Sequence, residues 1–458
     1  MKHVEQLHSS YRDPSGFMFK MEGVYYRQVN NFFKKDFDHF ISSGCYDELV
    51  KTGLLIPHET INENLTGSAD WYRTLKPEQL QFVSYPYEWS FDMLKDAALL
   101  TLNILKKALE KGMILKDATP YNIQFHRGRM VFIDTLSFEI YNEEEPWVAY
   151  RQFCESFLGP LLLMHYKKTP LQQLMLAWPD GIPLSALQVL LPAKSRFSFH
   201  TYLHIHLNAK FNKKPKSPNK QTIRFSRKKL NNLIDSLEIL IKKLRLPPHT
   251  STWSAYYEEA AERSNYLTEK KRIIIEWLDK IDSVKTAADL GANNGEFSYL
   301  LAEKKITTLA GDFDPYCIND LYNNLKNKNN QNILPLLVDL SNPTPATGFN
   351  NEERPSFLSR CKFDLLIALA LIHHLAVSKN IPFSKLIELF GLITTKYLII
   401  EFVPKSDEKV QLLLQNRKDI FTNYNSQEFE KYFEKRFKIT SKAPIADSGR
   451  TLYLMEKK

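Results

Sequence analysis

The sequence predicts two domains: an α+β N-terminal domain with a helical lower part, and a C-terminal doubly wound α/β domain. Three observations carry this reading. The chain has 458 residues, more than one typical core accommodates. After about residue 251, short apolar runs alternate with amphipathic stretches, the pattern of a parallel sheet with crossover helices. Before Pro247-Pro248, short strand patterns give way to a long helical pattern, a hairpin and further helices. The domains are therefore placed at 1–246 and 251–458.

In the first domain, Phe17–Lys20 and Val24–Val29 read as paired strands around Glu22-Gly23. Asp36 to Leu54 reads as a helix ending near Gly53, and Gln81–Tyr85 as a short strand stopped by Pro86. Phe91 to Gly112 has Leu94, Ala98, Leu102, Leu105 and Leu109 at helical spacing, with Gly112 as its C-cap. Next comes Ile114-Leu115-Lys116-Asp117-Ala118-Thr119-Pro120-Tyr121-Asn122-Ile123-Gln124-Phe125. A turn at Arg127-Gly128 leads into Met130-Val131-Phe132-Ile133-Asp134. This is a loop bearing an aspartate and an asparagine, then a hairpin ending in a second aspartate.

Pro146 to Leu207 is mainly helical, with breaks at Pro160, Pro170, Pro179–Pro183 and Pro192. His200 and His204 share a helix face there, but His206 does not. No Cys or acid nearby completes a tetrahedral set, so these are read as ordinary histidines and no metal site is expected. Phe225 to Leu246 is a helix with the stripe Leu230, Leu233, Leu237, Leu240, Ile241 and Leu244, ended by Pro247-Pro248.

The segment Lys116–Asp134 resembles the catalytic segment of the protein-kinase and aminoglycoside-phosphotransferase fold. Asp117, Asn122 and Asp134 match that fold's loop aspartate, the asparagine five positions on, and the metal-binding aspartate after a short hairpin. The resemblance implies a kinase-like domain, Gln81–Tyr85 its hinge and 146–207 its helical lower lobe. It departs from the pattern in three ways. Lys116 precedes the aspartate where arginine is common, Gly16 and Gly23 are isolated, and no strand lysine for phosphates is assignable. A kinase-like shape without phosphoryl transfer is therefore expected.

The second domain opens with helices at Ser254–Arg263 and Thr268–Ile281. Then comes Ala287-Ala288-Asp289-Leu290-Gly291-Ala292-Asn293-Asn294-Gly295-Glu296-Phe297-Ser298, a buried strand, a glycine turn and a helix start. Gly291 and Gly295 suit the sharp reversal, and asparagines tolerate left-handed conformations. An ordinary βα turn would look the same in isolation. Thr307–Asp314 is the second strand, ending in acids. An acid about twenty residues beyond a glycine turn is placed to accept hydrogen bonds from ribose hydroxyls. Asp312 is favoured over Asp314. A helix to Lys328 and the strand Ile333–Val338 follow, then Asp339. The apolar strand Phe363–Ala370, the strand Tyr397–Phe402, and an edge pair at Phe437–Ser441 and Arg450–Met455 complete the sheet.

Asp289-x-Gly291-x-x-x-Gly295 resembles the first motif of class I S-adenosylmethionine (SAM)-dependent methyltransferases. That resemblance implies a Rossmann-like sheet and SAM as cofactor. It also implies binding through Asp289, Gly291, Asn293, Gly295 and Asp312, with Asp339 near the adenine. Ligands of such sheets lie beyond the strand carboxyl ends, where His373, His374 and Glu401 are the candidate bases. Several segments are similar to bacterial methyltransferases of the NoeA-related group. They are Asn332–Leu336, Asn342-Pro343, Glu353–Phe357, Ala368–Leu375, Lys116–Asn122 and Ile133–Glu139. The insert between Asp339 and Asp364 exceeds a minimal methyltransferase and is expected to shape the acceptor pocket.

Hydrophobic content of 43% and charged content of 25% suit a soluble globular protein. No apolar core follows Met1, and the runs Phe157–Met164 and Leu365–Ile372 are too short to span a bilayer. Cys45, Cys154, Cys317 and Cys361 are scattered, so free thiols and a cytoplasmic location are expected. The net charge of +9 is local. Lys210, Lys213, Lys214, Lys216, Lys220, Arg224, Arg227, Lys228 and Lys229 fall within the acid-free stretch 209–229. Such a stretch suits a nucleic-acid or membrane-surface patch, but Pro215, Ser217, Pro218 and Asn219 favour a solvated connector. The expected function is methyl transfer from SAM to an oxygen or nitrogen of a small-molecule or carbohydrate-type acceptor. The alternatives are a bifunctional kinase/methyltransferase and a SAM-regulated nucleic-acid-binding protein.

Overall fold

The computed structural model describes residues 4–143, 145–212, 225–247, 264–328, 330–415 and 419–458. The expected helix at Ser254–Arg263 and most of the basic connector lie outside these residues. The chain divides into two compact units, Met1–Pro247 with Ala346–Pro355, and Pro248–Pro345 with Ser356–Lys458.

The first unit begins with an antiparallel sheet of β1 (Glu5–Gln6), β2 (Gly16–Met21), β3 (Val24–Asn30), β4 (His58–Ile61) and β5 (Trp71–Pro77), in the order β1-β2-β3-β5-β4. Between β3 and β4 lie two helices, Lys34–Ser42 and Cys45–Lys51. The sequence reads as one helix here, but Gly44 at φ +74° takes a left-handed turn between them. Val29, Phe33, Phe37, Leu75 and Leu136 form a core cluster beneath this sheet.

The expected strand Gln81–Tyr85 is not a strand. The Gln124 side chain takes both backbone groups of Ser84, accepting from its N–H at 2.8 Å and donating to its carbonyl at 2.9 Å. An amide side chain thus satisfies locally what a neighbouring strand would have supplied. The helix Phe91–Glu110 follows, its first turn capped by the Ser90 hydroxyl, which accepts from the Met93 N–H. Beyond it are β6 (Met113–Leu115), the hairpin β7 (Ile123–His126) and β8 (Arg129–Phe132), and β9 (Phe138–Ile140), which pairs with β6. Arg127 and Gly128, both at positive φ, form the two-residue hairpin turn. The remainder is helical and includes Gly159–Lys167, Leu184–Leu190 and Arg227–Lys243.

The second unit is a seven-stranded sheet: β10 (Thr286–Leu290), β11 (Thr307–Asp312), β12 (Ile333–Leu337), β13 (Phe363–Ala368), β14 (Thr394–Phe402), β15 (Phe437–Pro444) and β16 (Thr451–Lys457). Its order is β12-β11-β10-β13-β14-β16-β15. The first five strands pair in parallel, and β16 runs antiparallel to both β14 and β15. The strand order reverses at β10, so the crevice opens beyond the carboxyl ends of β10 and β13. β13 is nearly all apolar because helices cover both faces of a parallel strand. Tyr266, Ile273, Ile274 and Trp277 of the helix Ser264–Leu278 pack into this core with Leu365, Ile367 and Ile399.

Ten residues of the long insert, Ala346–Pro355, fold with the first unit. Arg12 donates to the Glu353 carboxylate at 2.6 Å, and the Arg354 guanidinium lies 3.8 Å from the centre of the Tyr121 ring.

Candidate functional site

In the second unit the site is built around the turn after β10. Gly291 and Gly295 both sit at φ near +80°, and Asn293 at +48°. The N–H groups of Gly291 and Ala292 donate to the Gly311 carbonyl at 2.8 and 3.1 Å, locking the turn onto β11. Gly295 is the N-cap of the helix Glu296–Glu303, and a Cβ there would fall 2.7 Å from Leu321. At Gly291 an added Cβ would only touch Leu371, so its constraint is the backbone conformation.

Asp312 ends β11 and is buried. It accepts from the N–H groups of Asn293 and Asp314 at 2.8 and 2.9 Å. Asp289 is also buried and accepts from the Ser298 hydroxyl at 2.6 Å. Burial pushes each carboxyl up to about 6. Asp314 is the helix cap for Pro315–Asn327, accepting from the Tyr316 and Cys317 N–H groups. Asp339 is half-buried and accepts from Ser341 after β12.

The other wall is the loop after β13, where Ala370 has φ +48° and Leu371 lies over Gly291. His373 is 2% exposed and its Nδ1 has no hydrogen-bond partner. Its ring centre is 4.0 Å from that of His374. Burial lowers both imidazoles, His373 far and His374 to about 4, with Arg450 adding to the effect on each. Both are therefore neutral near pH 7.

Glu401, the third candidate base, is fully buried and saturated. It accepts from Lys270 and Tyr266 at 2.6 Å each, from the Ala370 N–H at 2.9 Å, and from Arg450 at 3.4 Å. Burial alone would raise its pKa, but Lys270 and Arg450 overcome this and hold it low. Glu401, one of the three candidate bases, is thus ion-paired and tied to the loop bearing His373 through the Ala370 N–H. Arg450 is held in turn by Asp407 at 2.7 Å. Sequence reading missed Lys270, Tyr266 and Arg450. Lys270 carried a signal, since it interrupts the apolar stripe of Tyr266, Ile273, Ile274 and Trp277.

In the first unit the structure brings Asp117, Asn122 and Asp134 together. Asn122 donates to Asp117 and to Ser137 at 3.1 Å each, and Ser137 donates to Asp134 at 2.6 Å. Burial, then the Asp134 charge, raises Asp117. Arg27 on β3, another residue missed, reaches Asp134 at 2.8 Å and Asp13 at 2.9 Å. Lys116 donates to Ser15 at 2.6 Å. His204 bonds Tyr150 and Ser236, His200 bonds Ser236, and His206 bonds Ser195. Each is tied to a hydroxyl. Among the described residues, no cluster of His, Cys, Asp and Glu is arranged to hold a metal ion, and no helix is long and apolar enough to cross a membrane.

A parallel sheet that reverses at β10, its antiparallel last hairpin, the glycine turn and the acid ending β11 make a Rossmann-like sheet, and the protein is a SAM-dependent methyltransferase. A buried carboxylate at the end of β11 and a tight turn at a helix start are groups of a kind that fit SAM. The chain belongs to the family of nodulation protein NoeA. It is 32% identical to NoeA of Rhizobium meliloti (strain 1021) over 466 residues, covering 98% of this chain and 95% of that one. No protein-family model matches. Solved structures similar to parts of the chain include magnesium protoporphyrin IX methyltransferase (ChlM) from Synechocystis PCC 6803 with bound SAH. It is 14% identical with TM-score 0.31, over 43% of this chain and 86% of that one. The bifunctional kinase-methyltransferase WbdD is 18% identical with TM-score 0.29, over 42% and 39%. The N-methyltransferase NodS from Bradyrhizobium japonicum WM9 is 11% identical with TM-score 0.31, over 42% and 96%.

Proposed function

We propose that the second unit methylates an oxygen or nitrogen of a small-molecule or carbohydrate-type acceptor, with His373 accepting or orienting its proton. The observation that carries this is the buried, unpartnered Nδ1 of His373 at the carboxyl end of β13. A buried polar atom without a partner is costly, and a ligand hydroxyl or amine would satisfy it. SAM supplies an already activated methyl group, so the chain's task is alignment, desolvation and management of one proton. Asp312 would hold the ribose hydroxyls. The turn from Gly291 to Gly295 would hold the methionine end, with Asp289 bracing it through Ser298 and Asp339 near the adenine. Glu401 would steady the His373 loop through the Ala370 N–H.

The first unit is read as kinase-like but without phosphoryl transfer. Five antiparallel strands with helices between the third and fourth, followed by the Asp117–Asn122–Asp134 cluster, support the likeness. Arg27 supports the inactivity, because it occupies the Asp134 oxygen that a divalent cation would use. The test of the whole reading is calorimetric SAM binding to the wild type and to Gly291→Val, with labelled methyl transfer into fractionated acceptors. Unchanged SAM affinity in folded Gly291→Val would sink the cofactor assignment. Transfer only to protein or nucleic acid would sink the acceptor class.

A further inference from the structure

We infer that a basic, apolar-studded surface of the first unit docks on anionic lipid bilayers. From Gly181 to Ile234 the chain contains no Asp or Glu. Lys194, Arg196, Lys210, Lys228 and Lys229 are exposed within this span. Three large apolar side chains there also face solvent: Val189 at 83% exposure, Phe197 at 90% and Phe199 at 74%. They are among the most exposed apolar side chains of the described chain.

The surface is tied down from beneath. Gln188 donates to the His206 carbonyl at 3.0 Å, and Ser195 bonds the His206 ring at 2.9 Å. The segments carrying Val189 and Phe197 are thus both tied to one buried residue. Phe199 opens the next helical turn, which the Ser198 hydroxyl caps. Three acids on neighbouring elements are engaged. Glu155 binds Arg151 and the Leu184 N–H, Asp235 binds Lys106, and Glu238 binds Lys106 and Lys242. Within the span itself every formal charge is positive, and the exposed Asp180 borders it.

Exposed apolar side chains amid lysine and arginine are the signature of an interfacial membrane surface. The apolar groups enter the headgroup boundary while the basic groups meet anionic lipid. Nucleic acid fits less well, because the aliphatic Val189 has no role on a phosphate backbone and stacking needs accessible bases. A second copy would have to place positive charge against positive charge.

The test is co-sedimentation of the full chain with vesicles of phosphatidylcholine alone or mixed with phosphatidylglycerol. Binding is expected only with the anionic lipid and should weaken with salt. Lys194→Glu with Arg196→Glu should lose at least about fivefold per charge removed. Phe197→Ser with Phe199→Ser should weaken binding with the charge unchanged, and circular dichroism should show both proteins folded. Equal binding to neutral vesicles, no binding, or indifference to both pairs of substitutions would overturn the inference. So would single-stranded RNA binding, or dimerisation in ultracentrifugation, that these substitutions abolish while vesicle binding persists.

Discussion

The Nζ of Lys270 lies 2.6 Å from Oε2 of Glu401, and both side chains are buried. Arg450 and Tyr266 complete the cage, and the same carboxylate accepts from the Ala370 N–H. One buried anion therefore links the helix Ser264–Leu278, the end of β14 and the loop after β13. Glu401→Ala leaves two buried cations short of a partner and should cost about 3–5 kcal/mol in chemical denaturation. Because the folded-state pKa is lowered, this stabilisation is present above the unfolded carboxylate pKa and is lost as pH falls through the folded value. Glu401→Ala should thus lose its deficit against the wild type at low pH. A variant of wild-type stability at pH 7 would refute the role of the cage.

Asp312 gives the opposite sign. Burial raises its carboxyl to about 6, so the folded protein holds a proton that the unfolded chain has released. Stability from this group is full below the unfolded carboxylate pKa and declines as pH rises through about 6. SAM affinity should run the other way, because the ionised carboxylate is the better acceptor for ribose hydroxyls. Calorimetry between pH 5 and pH 8 should show SAM binding strengthen through about 6. Asp312→Asn should flatten that dependence and bind weakly throughout. A steep dependence surviving in Asp312→Asn would assign the titration elsewhere, with buried Asp289 next in line.

The second unit was legible because its signals are local. Apolar strands such as Leu365–Ala368, the glycines at 291 and 295, and the acid ending β11 each appear in one short window. Single-residue events in the first unit were harder. Gly44 divides an otherwise continuous helical pattern, and Gln124 stands in for a strand beside Ser84 from forty residues away. The Glu401 cage was illegible for the same reason. Its cations come from positions 270 and 450, and no spacing rule joins residues so distant in sequence. Read alone, Glu401 was one of three candidate bases; its ion pair with Lys270 becomes visible only in the fold.

His373 and His374 are adjacent in sequence but differ in surroundings. His373 is the more buried and has the unpartnered Nδ1. His373→Ala should lower methyl transfer by roughly two to four decades while leaving SAM affinity intact. His374→Ala should cost far less. Both imidazoles titrate below the ordinary range, so neither should impose a fall in turnover between pH 8 and pH 6. A pH–rate limb near 6.5 that vanishes in His373→Ala would contradict the lowered pKa. Near-normal turnover in both alanine variants would move the proton acceptor to another group or to the substrate itself.

The last prediction concerns Arg27 and Asp134. Arg27 bridges Asp134 and Asp13, and Ser137 holds the second Asp134 oxygen. A magnesium ion would have to displace the guanidinium before it could reach that carboxylate. Phosphoryl transfer depends on metal and phosphate positioning, so an occupied metal ligand should be disabling. The purified protein with magnesium ATP should therefore show no steady phosphate release, with or without acceptor. Asp134→Asn should leave methyl transfer largely intact, and its cost should appear as about 1–3 kcal/mol of stability from the poorly paired Arg27. Arg27→Met is the sharper variant, because it opens Asp134 to a cation without touching the aspartate. If the wild type turns over ATP and Asp117→Ala or Asp134→Asn abolishes this, the first unit is a working kinase and the protein is bifunctional. If only Arg27→Met binds magnesium nucleotide, by fluorescence titration, the guanidinium is what keeps the cleft closed to metal.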